Sequence, residues 1–330
     1  MADKKQSRYN NPVQAILTGI RDLFRKQKAS GELKPTDRLD NKTVVIDGAS
    51  SGLGFAIATG LAQRGAKVIM ACRSGIPEKG EAVKMLSGSE NVHMVHVDLR
   101  DMNSIRNLAI IIHEKFAPLD LLILNAGVVS GQGRKTPQGL EEMFMVNYLA
   151  KFLFIKLMLV SGCFRHGESG IPRIIFISSE SHRNPKEINW DSFGKFEPYS
   201  MGKSMEHYGH NKLLLTTFAF ELSHRLNPGR TTNYSVFAVC PGPVNSNIAR
   251  ESPKIFHPLL RLIFRLFFRS PGKAAIPVLY LAASPDFEGK SFDYLFLMSR
   301  KTIDEKASDP SNGKKLWAMS EELLKNFSVF

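Results

Sequence analysis

Two Tyr-x-x-x-Lys pairs lie close together in the chain, as Tyr199 with Lys203 and Tyr208 with Lys212. On a helix, residues four apart share a face, so a lysine ammonium can lie beside the phenol and favour its ionised form. Behind a glycine-rich nucleotide loop, such a pair suits proton transfer during hydride exchange between an alcohol and a carbonyl group. The spacing alone does not separate the two copies.

The residues around the two pairs differ. A long apolar helical run follows Lys212 and could pack on a sheet, whereas polar residues follow Lys203. Tyr199 also comes directly after Pro198, in a stretch that reads as a loop. We therefore predict Tyr208 as the reactive tyrosine and Tyr199 as a residue at the rim of the pocket.

A glycine-rich loop precedes both pairs, between a predicted strand and a predicted helix. Glycines let the backbone approach a pyrophosphate, and a helix N-terminus supplies N–H groups and the positive end of its dipole. The loop predicts a dinucleotide site, although a plain tight turn would also use glycines. Its candidate binding residues are Gly48, Ser50, Ser51, Gly52, Leu53 and Gly54.

Three later strand ends supply further candidates. Arg73 ends the second strand without a nearby acidic residue, which favours NADP(H) over NAD(H), because an arginine fits a 2′-phosphate. It could equally be a solvated loop charge. Asp98, followed by Leu99, is placed to accept from the adenine amino group or to cap the helix that begins near Met102. The small-residue turn Asn125, Ala126 and Gly127 could lie under a nicotinamide ribose.

Strand and helix patterns alternate from Thr43 onward. Apolar runs at 43–46, 67–72, 92–97, 119–124, 173–178, 234–240 and 292–298 are separated by amphipathic stretches. This alternation predicts an α/β fold of Rossmann type, a doubly wound parallel seven-stranded sheet with helices on both faces. We expect an N-terminal amphipathic extension and linker at 1–41, this domain at 42–300, and a helical tail at 301–330.

Composition narrows the class of protein. The chain has 330 residues, 43% of them apolar, and its three scattered cysteines indicate a reduced, intracellular protein without a metal site. Residues 1–42 and 250–274 carry ten of the thirteen net positive charges. The nearly neutral core argues against nucleic-acid binding. A polar start and the lack of a long uncharged apolar run argue against a secretory signal and a spanning helix.

In this order, the motifs resemble those of the short-chain dehydrogenase/reductase family, most closely its retinol-dehydrogenase-like branch. The matching stretches run from residue 42 to about 300 and include Val146-Asn147, Ile177 to Arg183, and Pro241-Gly242. The resemblance implies a catalytic tetrad of Asn147, Ser179, Tyr208 and Lys212. Tyr208 exchanges a proton with the substrate oxygen, Lys212 lowers the pKa of Tyr208 and holds the ribose, and Ser179 stabilises the developing oxyanion. Asn147 positions a water molecule.

The resemblance also implies cofactor contacts at Pro241, Gly242, Val244 and Ser246, and a homo-oligomer. The chain departs from the family pattern at Asp47, where a threonine is usual, at Asn211 and at Ser246. The charge of Asp47 near a pyrophosphate is unfavourable and could weaken cofactor affinity. Two alternative functions stay open: a non-catalytic nucleotide-binding scaffold or sensor, and an enzyme like protochlorophyllide reductase.

Two apolar segments with basic residues stand apart from the predicted domain core. Residues 13–26 form an amphipathic pattern that suits packing on protein or an interfacial membrane helix. Residues 255–269, within a predicted lid helix at about 254–269, combine Leu, Ile and Phe with arginines four residues apart. This pattern suits a buried lid, a dimer contact or, as we favour, a membrane headgroup boundary. We expect a cytoplasmic protein, peripheral on a membrane, with a lipophilic retinoid, steroid or long-chain substrate.

Overall fold

The computed structural model describes residues 29–166, 170–244 and 269–327. Within these ranges, eight strands form one sheet in the order β3-β2-β1-β4-β5-β6-β7-β8. Neighbouring strands from β1 to β7 are parallel, and β8 is antiparallel to β7. The strands are β1 Thr43–Asp47, β2 Lys67–Cys72, β3 Val92–His96, β4 Leu121–Leu124, β5 Arg173–Ile177, β6 Ser235–Cys240, β7 Phe292–Phe296 and β8 Ser299–Arg300.

The predicted doubly wound parallel sheet is confirmed, with eight strands where the sequence predicted seven. The extra strand has two residues and follows a tight turn at Leu297, which has a φ of 57°. A two-residue strand is too short to leave an alternating pattern in the sequence. The predicted amphipathic segment 13–26, residues 255–268 and Ser246 lie outside the described residues.

Helices cover both faces of the sheet. The helices are α1 Gly52–Gln63, α2 Glu78–Ser87, α3 Met102–Phe116, α4 Glu142–Val160, α5 Ser204–Leu226, α6 Pro271–Ala283 and α7 Pro310–Lys325. Along β1, Val44 and Ile46 join the core under α1 and α6, whereas Val45 joins the core under α3, α4 and α5. This alternation of side chains places one apolar core on each face.

Helix α4 is the single helix among the described residues that is long and apolar enough to cross a membrane. Its apolar window is 78% buried inside the protein, so here it serves as a core helix. Near its start, Met145–Leu149 form a π-helical turn. Such turns frequently occur at functional sites, because they redirect side chains out of the regular helical register.

The last helix, α7, packs directly behind this part of α4. Trp317 contacts Phe152 of α4 and Phe218 of α5, with ring centroids 5.1 Å and 6.0 Å away. The hydroxyls of Tyr148 and Ser320 lie 2.5 Å apart. Tyr148 adjoins Asn147 in the π-helical turn, so the C-terminal helix supports the element that presents Asn147.

Candidate active site

The glycine-rich loop lies at the carboxyl end of β1, packed tightly against the end of β4. Gly48 and Gly52 have φ values of 64° and 56°, which suit glycine. A Cβ atom on Gly54 would lie 2.4 Å from the Gly48 carbonyl oxygen and 2.5 Å from Asn125 Nδ2. Ser51 precedes α1 and does not cap it through its side chain. This cradle, at an uncapped helix N-terminus, fits a dinucleotide pyrophosphate.

Two adjacent serines at the end of β5 have opposite environments. The Ser178 hydroxyl is buried and lies 2.6 Å from Thr216 Oγ1. Ser179 begins a 3-10 turn, and its hydroxyl oxygen accepts hydrogen bonds from Ser181 N at 3.2 Å and Ser181 Oγ at 2.9 Å. The side chain of Ser179 also lies near enough to Tyr208 to lower the pKa of its phenol. Ser178 is therefore committed to the core, and Ser179 faces the predicted reactive tyrosine.

Tyr208 and Lys212 lie one turn apart near the start of α5, as their spacing predicts. The Lys212 ammonium lies 5.6 Å from the centroid of the Tyr208 ring and donates to the Ile177 carbonyl oxygen at 2.8 Å. Lys212 is buried, with 3% of its surface exposed. Burial, reinforced by the positive charge of Lys151, lowers the pKa of Lys212 to about 8.

The pKa of Tyr208 departs from the expectation that Lys212 lowers it. Tyr208 is half-buried as a whole, but loss of hydration at its hydroxyl raises its pKa above the ordinary value, and the nearby Ser179 side chain opposes that rise only in part. Loss of hydration destabilises the Tyr208 phenolate more than the nearby Ser179 side chain stabilises it. In this structure Tyr208 is therefore a neutral phenol at physiological pH, which makes it a proton donor.

Asn147 reaches the same place from the π-helical turn of α4. Its Oδ1 accepts from Val128 N at 2.8 Å, and its Nδ2 donates to Val128 O at 2.9 Å. A Cβ atom on Gly127 would lie 3.3 Å from Asn147 Oδ1 and 3.6 Å from Lys212 Nζ. The four residues of the predicted tetrad thus converge on the carboxyl ends of β4 and β5.

The first Tyr-x-x-x-Lys pair has no comparable arrangement. The Tyr199 hydroxyl donates to Glu141 Oε1 at 3.0 Å, and its ring stacks on His207 with centroids 4.1 Å apart. Tyr199 is 8% exposed, whereas Lys203 lies exposed in a separate 3-10 turn, Met201–Lys203. Burial and the Glu141 carboxylate raise the pKa of Tyr199. Its phenol is held by a carboxylate and not by an ammonium.

At the end of β2, Arg73 is exposed, and the side chain of Lys79 lies against Gly75, two residues further along the chain. A Cβ atom on Gly75 would lie 2.7 Å from Lys79 Cγ and 3.7 Å from Ser50 Cβ. Two cationic residues therefore border the edge of the glycine-rich loop where the adenosine end of a dinucleotide is expected.

Asp98 is engaged by its own neighbour. Arg100 donates from Nε to Asp98 Oδ1 at 3.0 Å and from Nη2 to Oδ2 at 2.6 Å. The alternative that Asp98 caps the next helix is wrong, because Asp101 caps α3 and accepts from Asn103 N at 3.0 Å. Leu99 is buried beside it.

The residues after the carboxyl end of β6 are the last predicted cofactor residues that the structure describes. Pro241 is buried and Gly242 has a φ of 80°, and a Cβ atom on Gly242 would lie 2.7 Å from Leu297 Cδ2. Val244 pairs with Arg269 in a parallel bridge. The two described residues that flank the undescribed stretch 245–268, Val244 and Arg269, are therefore neighbours beside the predicted cofactor residues.

Sequence reasoning missed Lys151, which lies on α4 and is 1% exposed. Its ammonium forms an ion pair with Asp47 Oδ2 at 2.8 Å. The charge of Asp47 therefore has a buried counter-charge, and its effect on cofactor affinity stays a prediction. A lysine inside the apolar run 149–155 was the signal that could have revealed the pair, because a buried lysine needs a partner.

Comparisons with known proteins agree with this geometry. The sequence profile of the short chain dehydrogenase family matches residues 42–193. Human retinol dehydrogenase 14 is 32% identical over 303 residues, which cover 87% of each chain. Human WW domain-containing oxidoreductase is 35% identical over 294 residues, covering 86% of this chain and 68% of that protein.

A solved structure shows the same fold. An uncharacterised protein from Mycobacterium paratuberculosis superposes with a TM-score of 0.68 and 29% identity, covering 89% of this chain and 98% of that one. The similarity to retinol dehydrogenase 14 exceeds 30% identity across most of both chains. The chain therefore belongs to the short-chain dehydrogenase/reductase family of NAD(P)-dependent oxidoreductases, in its retinol-dehydrogenase-like branch.

Proposed function

We propose that the protein is an NADP(H)-dependent oxidoreductase that interconverts a lipophilic alcohol and the corresponding ketone or aldehyde. One observation carries the proposal: the Lys212 ammonium lies 5.6 Å from the centroid of the Tyr208 ring, and the side chain of Ser179 is near enough to lower the pKa of that phenol. A bound nicotinamide supplies or accepts the hydride. The residues of the chain handle the proton and the charge on the substrate oxygen.

Tyr208 is the general acid in the direction of carbonyl reduction. Its raised pKa keeps the phenol protonated at neutral pH, so it has a proton to donate to the substrate oxygen as the hydride reaches the carbonyl carbon. Ser179 donates a hydrogen bond to the same oxygen, where negative charge develops. Once Tyr208 has lost its proton, the Lys212 ammonium stabilises the phenolate. Asn147 positions a water molecule that returns a proton from solvent.

The substrate class is inferred from two features. Relatives across most of the chain are named retinol dehydrogenases, including mouse retinol dehydrogenase 12 at 33% identity. The sequence 255–269, which joins the described structure beside Gly242, is rich in Leu, Ile and Phe. An apolar sequence that joins the chain next to the site suits a retinoid, steroid or long-chain carbonyl compound as substrate.

The experiment measures NADPH oxidation with a panel of lipophilic aldehydes and ketones. Tyr208→Phe should lower kcat by about 10²- to 10⁴-fold, the usual contribution of a general acid, while NADPH still binds. Tyr199→Phe is the matched control from the other pair and should retain turnover, because Tyr199 is held by Glu141. Retained turnover in Tyr208→Phe, with loss in Tyr199→Phe, would overturn the assignment.

The preference for NADP(H) rests on Arg73, supported by Lys79. A guanidinium at the end of β2 matches a 2′-phosphate, whereas an acidic residue there would accept from a ribose hydroxyl. Arg73→Asp should therefore shift the ratio of kcat/KM values toward NADH. Isothermal titration of both cofactors checks the shift in affinity. An unchanged ratio would show that Arg73 is a solvated loop charge.

Peripheral attachment to an anionic membrane is a further part of this proposal. It rests on the sequences 13–26 and 255–269, in which basic residues accompany apolar ones. Co-sedimentation with phosphatidylserine vesicles at low salt should retain the protein, and Arg261→Gln with Arg265→Gln should weaken retention. Failure of the unaltered protein to sediment with the vesicles would rule the attachment out.

A further inference from the structure

The buried pair of Asp47 and Lys151 has a second set of contacts, to the turn at the end of β4. Asp47 Oδ1 accepts from both Asn125 N and Ala126 N at 2.5 Å, while Oδ2 accepts from Lys151 Nζ at 2.8 Å. Both side chains of the pair are 1% exposed. Three N–H donors, from Asn125 N, Ala126 N and Lys151 Nζ, therefore meet on this one carboxylate, while Asn125 Nδ2 donates to the backbone oxygens of Asp47 and Gly48. Both backbone N–H groups at the start of the turn thus have the Asp47 carboxylate as their acceptor.

The same turn is held at its other end by the same helix. Asn147, four residues before Lys151 on α4, exchanges two hydrogen bonds with the backbone of Val128. Between the two attachments lies Gly127, against which Lys212 Nζ and Asn147 Oδ1 pack. Helix α4 therefore contacts both ends of the turn 125–128. Asn147 binds Val128 directly, and Lys151 binds Asp47, which accepts from Asn125 and Ala126.

We propose that Lys151 and Asp47 form a positioning unit for the active site, in which Lys151 anchors Asp47 so that Asp47 fixes the turn against which Lys212 and Asn147 pack. The catalytic consequence of this inference rests on the proposed function. The hydrogen bonds by which Asp47 and Lys151 hold the turn, called the clamp below, do not depend on turnover. Neither residue touches the substrate in this scheme. They act through the backbone of the turn and through their charge.

The charges of the unit bear on Lys212 in opposite directions. Lys151 lowers the pKa of Lys212 and Asp47 raises it, in addition to the larger effect of burial. The other groups that bear on Lys212 are Cys240, at the end of β6, and Tyr208, on its own helix. Burial lowers the pKa of Lys151 itself, and the Asp47 carboxylate opposes that change. At Lys212 the effect of Lys151 is the larger of the two, and the opposite charge of Asp47 offsets part of it.

The first test needs no substrate. Amide hydrogen exchange in the full-length apo protein should show Asn125 and Ala126 exchanging at least about tenfold faster in Lys151→Met, because the acceptor of both N–H groups loses its anchor. Lys156→Met is the matched control, since Lys156 lies on the same helix and pairs with Glu321 at 2.5 Å. NADPH affinity, measured by fluorescence titration, should fall with Lys151→Met and not with Lys156→Met.

The second test separates the unit from a merely structural buried pair. In the pH profile of kcat/KM, Lys151→Met should move the inflection assigned to Lys212 to higher pH, by on the order of one unit, and Asp47→Asn should move it to lower pH. The double variant, Asp47→Asn with Lys151→Met, leaves no uncompensated buried charge. It should therefore fold even where a single variant does not, with an inflection between those of the two single variants.

Three results would overturn the proposal: unchanged exchange at Asn125 and Ala126 in Lys151→Met, equal effects of Lys151→Met and Lys156→Met, or shifts of the same sign in both single variants. If the unaltered protein reduces no carbonyl compound, the proposed function fails. The exchange and NADPH-binding results then still decide whether the clamp exists.

Discussion

Replacing Lys212 by methionine should remove a contribution to folding stability that grows between neutral pH and about pH 9.5. Burial lowers the pKa of Lys212 to about 8 in the folded protein, from an ordinary value of 10.5. Between these values the unfolded chain holds a proton that the folded protein has released. Stability rises with pH wherever the unfolded state binds more protons, so raising the pH through this window stabilises the native protein.

The size of the effect follows from the two pKa values. One unit of difference corresponds to about 1.4 kcal/mol. Between pH 7 and about pH 9.5, most of the interval from about 8 to 10.5 is traversed. The free energy of unfolding of the unaltered protein should therefore rise by about 2 kcal/mol relative to that of Lys212→Met. Tyr208 and Cys240, whose pKa values burial raises, act in the opposite sense but are present in both proteins.

Urea unfolding of the apo protein, followed by tryptophan fluorescence at half-unit pH intervals, measures the difference. Lys203→Met is the matched control, because Lys203 is the exposed lysine of the other Tyr-x-x-x-Lys pair and should give a curve parallel to that of the unaltered protein. Parallel curves for Lys212→Met would refute the reasoning, since they would mean that Lys212 has the same proton affinity in both states.

Three further predictions concern the site and its support. Ser179→Ala should lower kcat by about 10²- to 10³-fold, because the oxyanion loses a hydrogen-bond donor. Ser178→Ala should leave kcat unchanged and lower the free energy of unfolding by about 1 kcal/mol, because it removes the hydrogen bond with Thr216. Steady-state kinetics and urea unfolding measure both variants. Trp317→Ala should destabilise the protein by about 3 to 5 kcal/mol, because it empties a site between two phenylalanine rings; a loss under about 1 kcal/mol in urea unfolding would contradict this. Gly54→Ala should weaken NADPH binding at least about tenfold in calorimetric titration, since its Cβ would lie 2.4 Å from a carbonyl oxygen, whereas Gly272→Ala, with open space around it, should not.

The fold was predictable because buried parallel strands leave continuous apolar runs. The seven long strands were all anticipated, and the end of each predicted run lies within two residues of the observed one. Choosing Tyr208 over Tyr199 also needed only the sequence, since the polar residues after Lys203 could not lie against a sheet. Alternation along a strand placed the two serines at the end of β5 on opposite faces, and the family resemblance selected the second. These are local properties, carried by neighbours a few residues apart.

The properties that remained hidden depend on residues far apart in the chain. Asp47 and Lys151 are separated by 104 positions, and nothing near either residue indicates the other. The raised pKa of Tyr208 reflects burial, which a spacing of four residues does not encode. The π-helical turn that aims Asn147 is likewise not visible in the periodicity of α4.

By itself, the sequence determined the sheet, the family and the residues that could do the chemistry, because periodicity and motif spacing are short-range signals. Only the tertiary structure decided the protonation of those residues and the support that holds them. Proton affinity depends on hydration and on charges brought close through space, and both are set when α4 and α5 pack on the carboxyl ends of β1, β4 and β5.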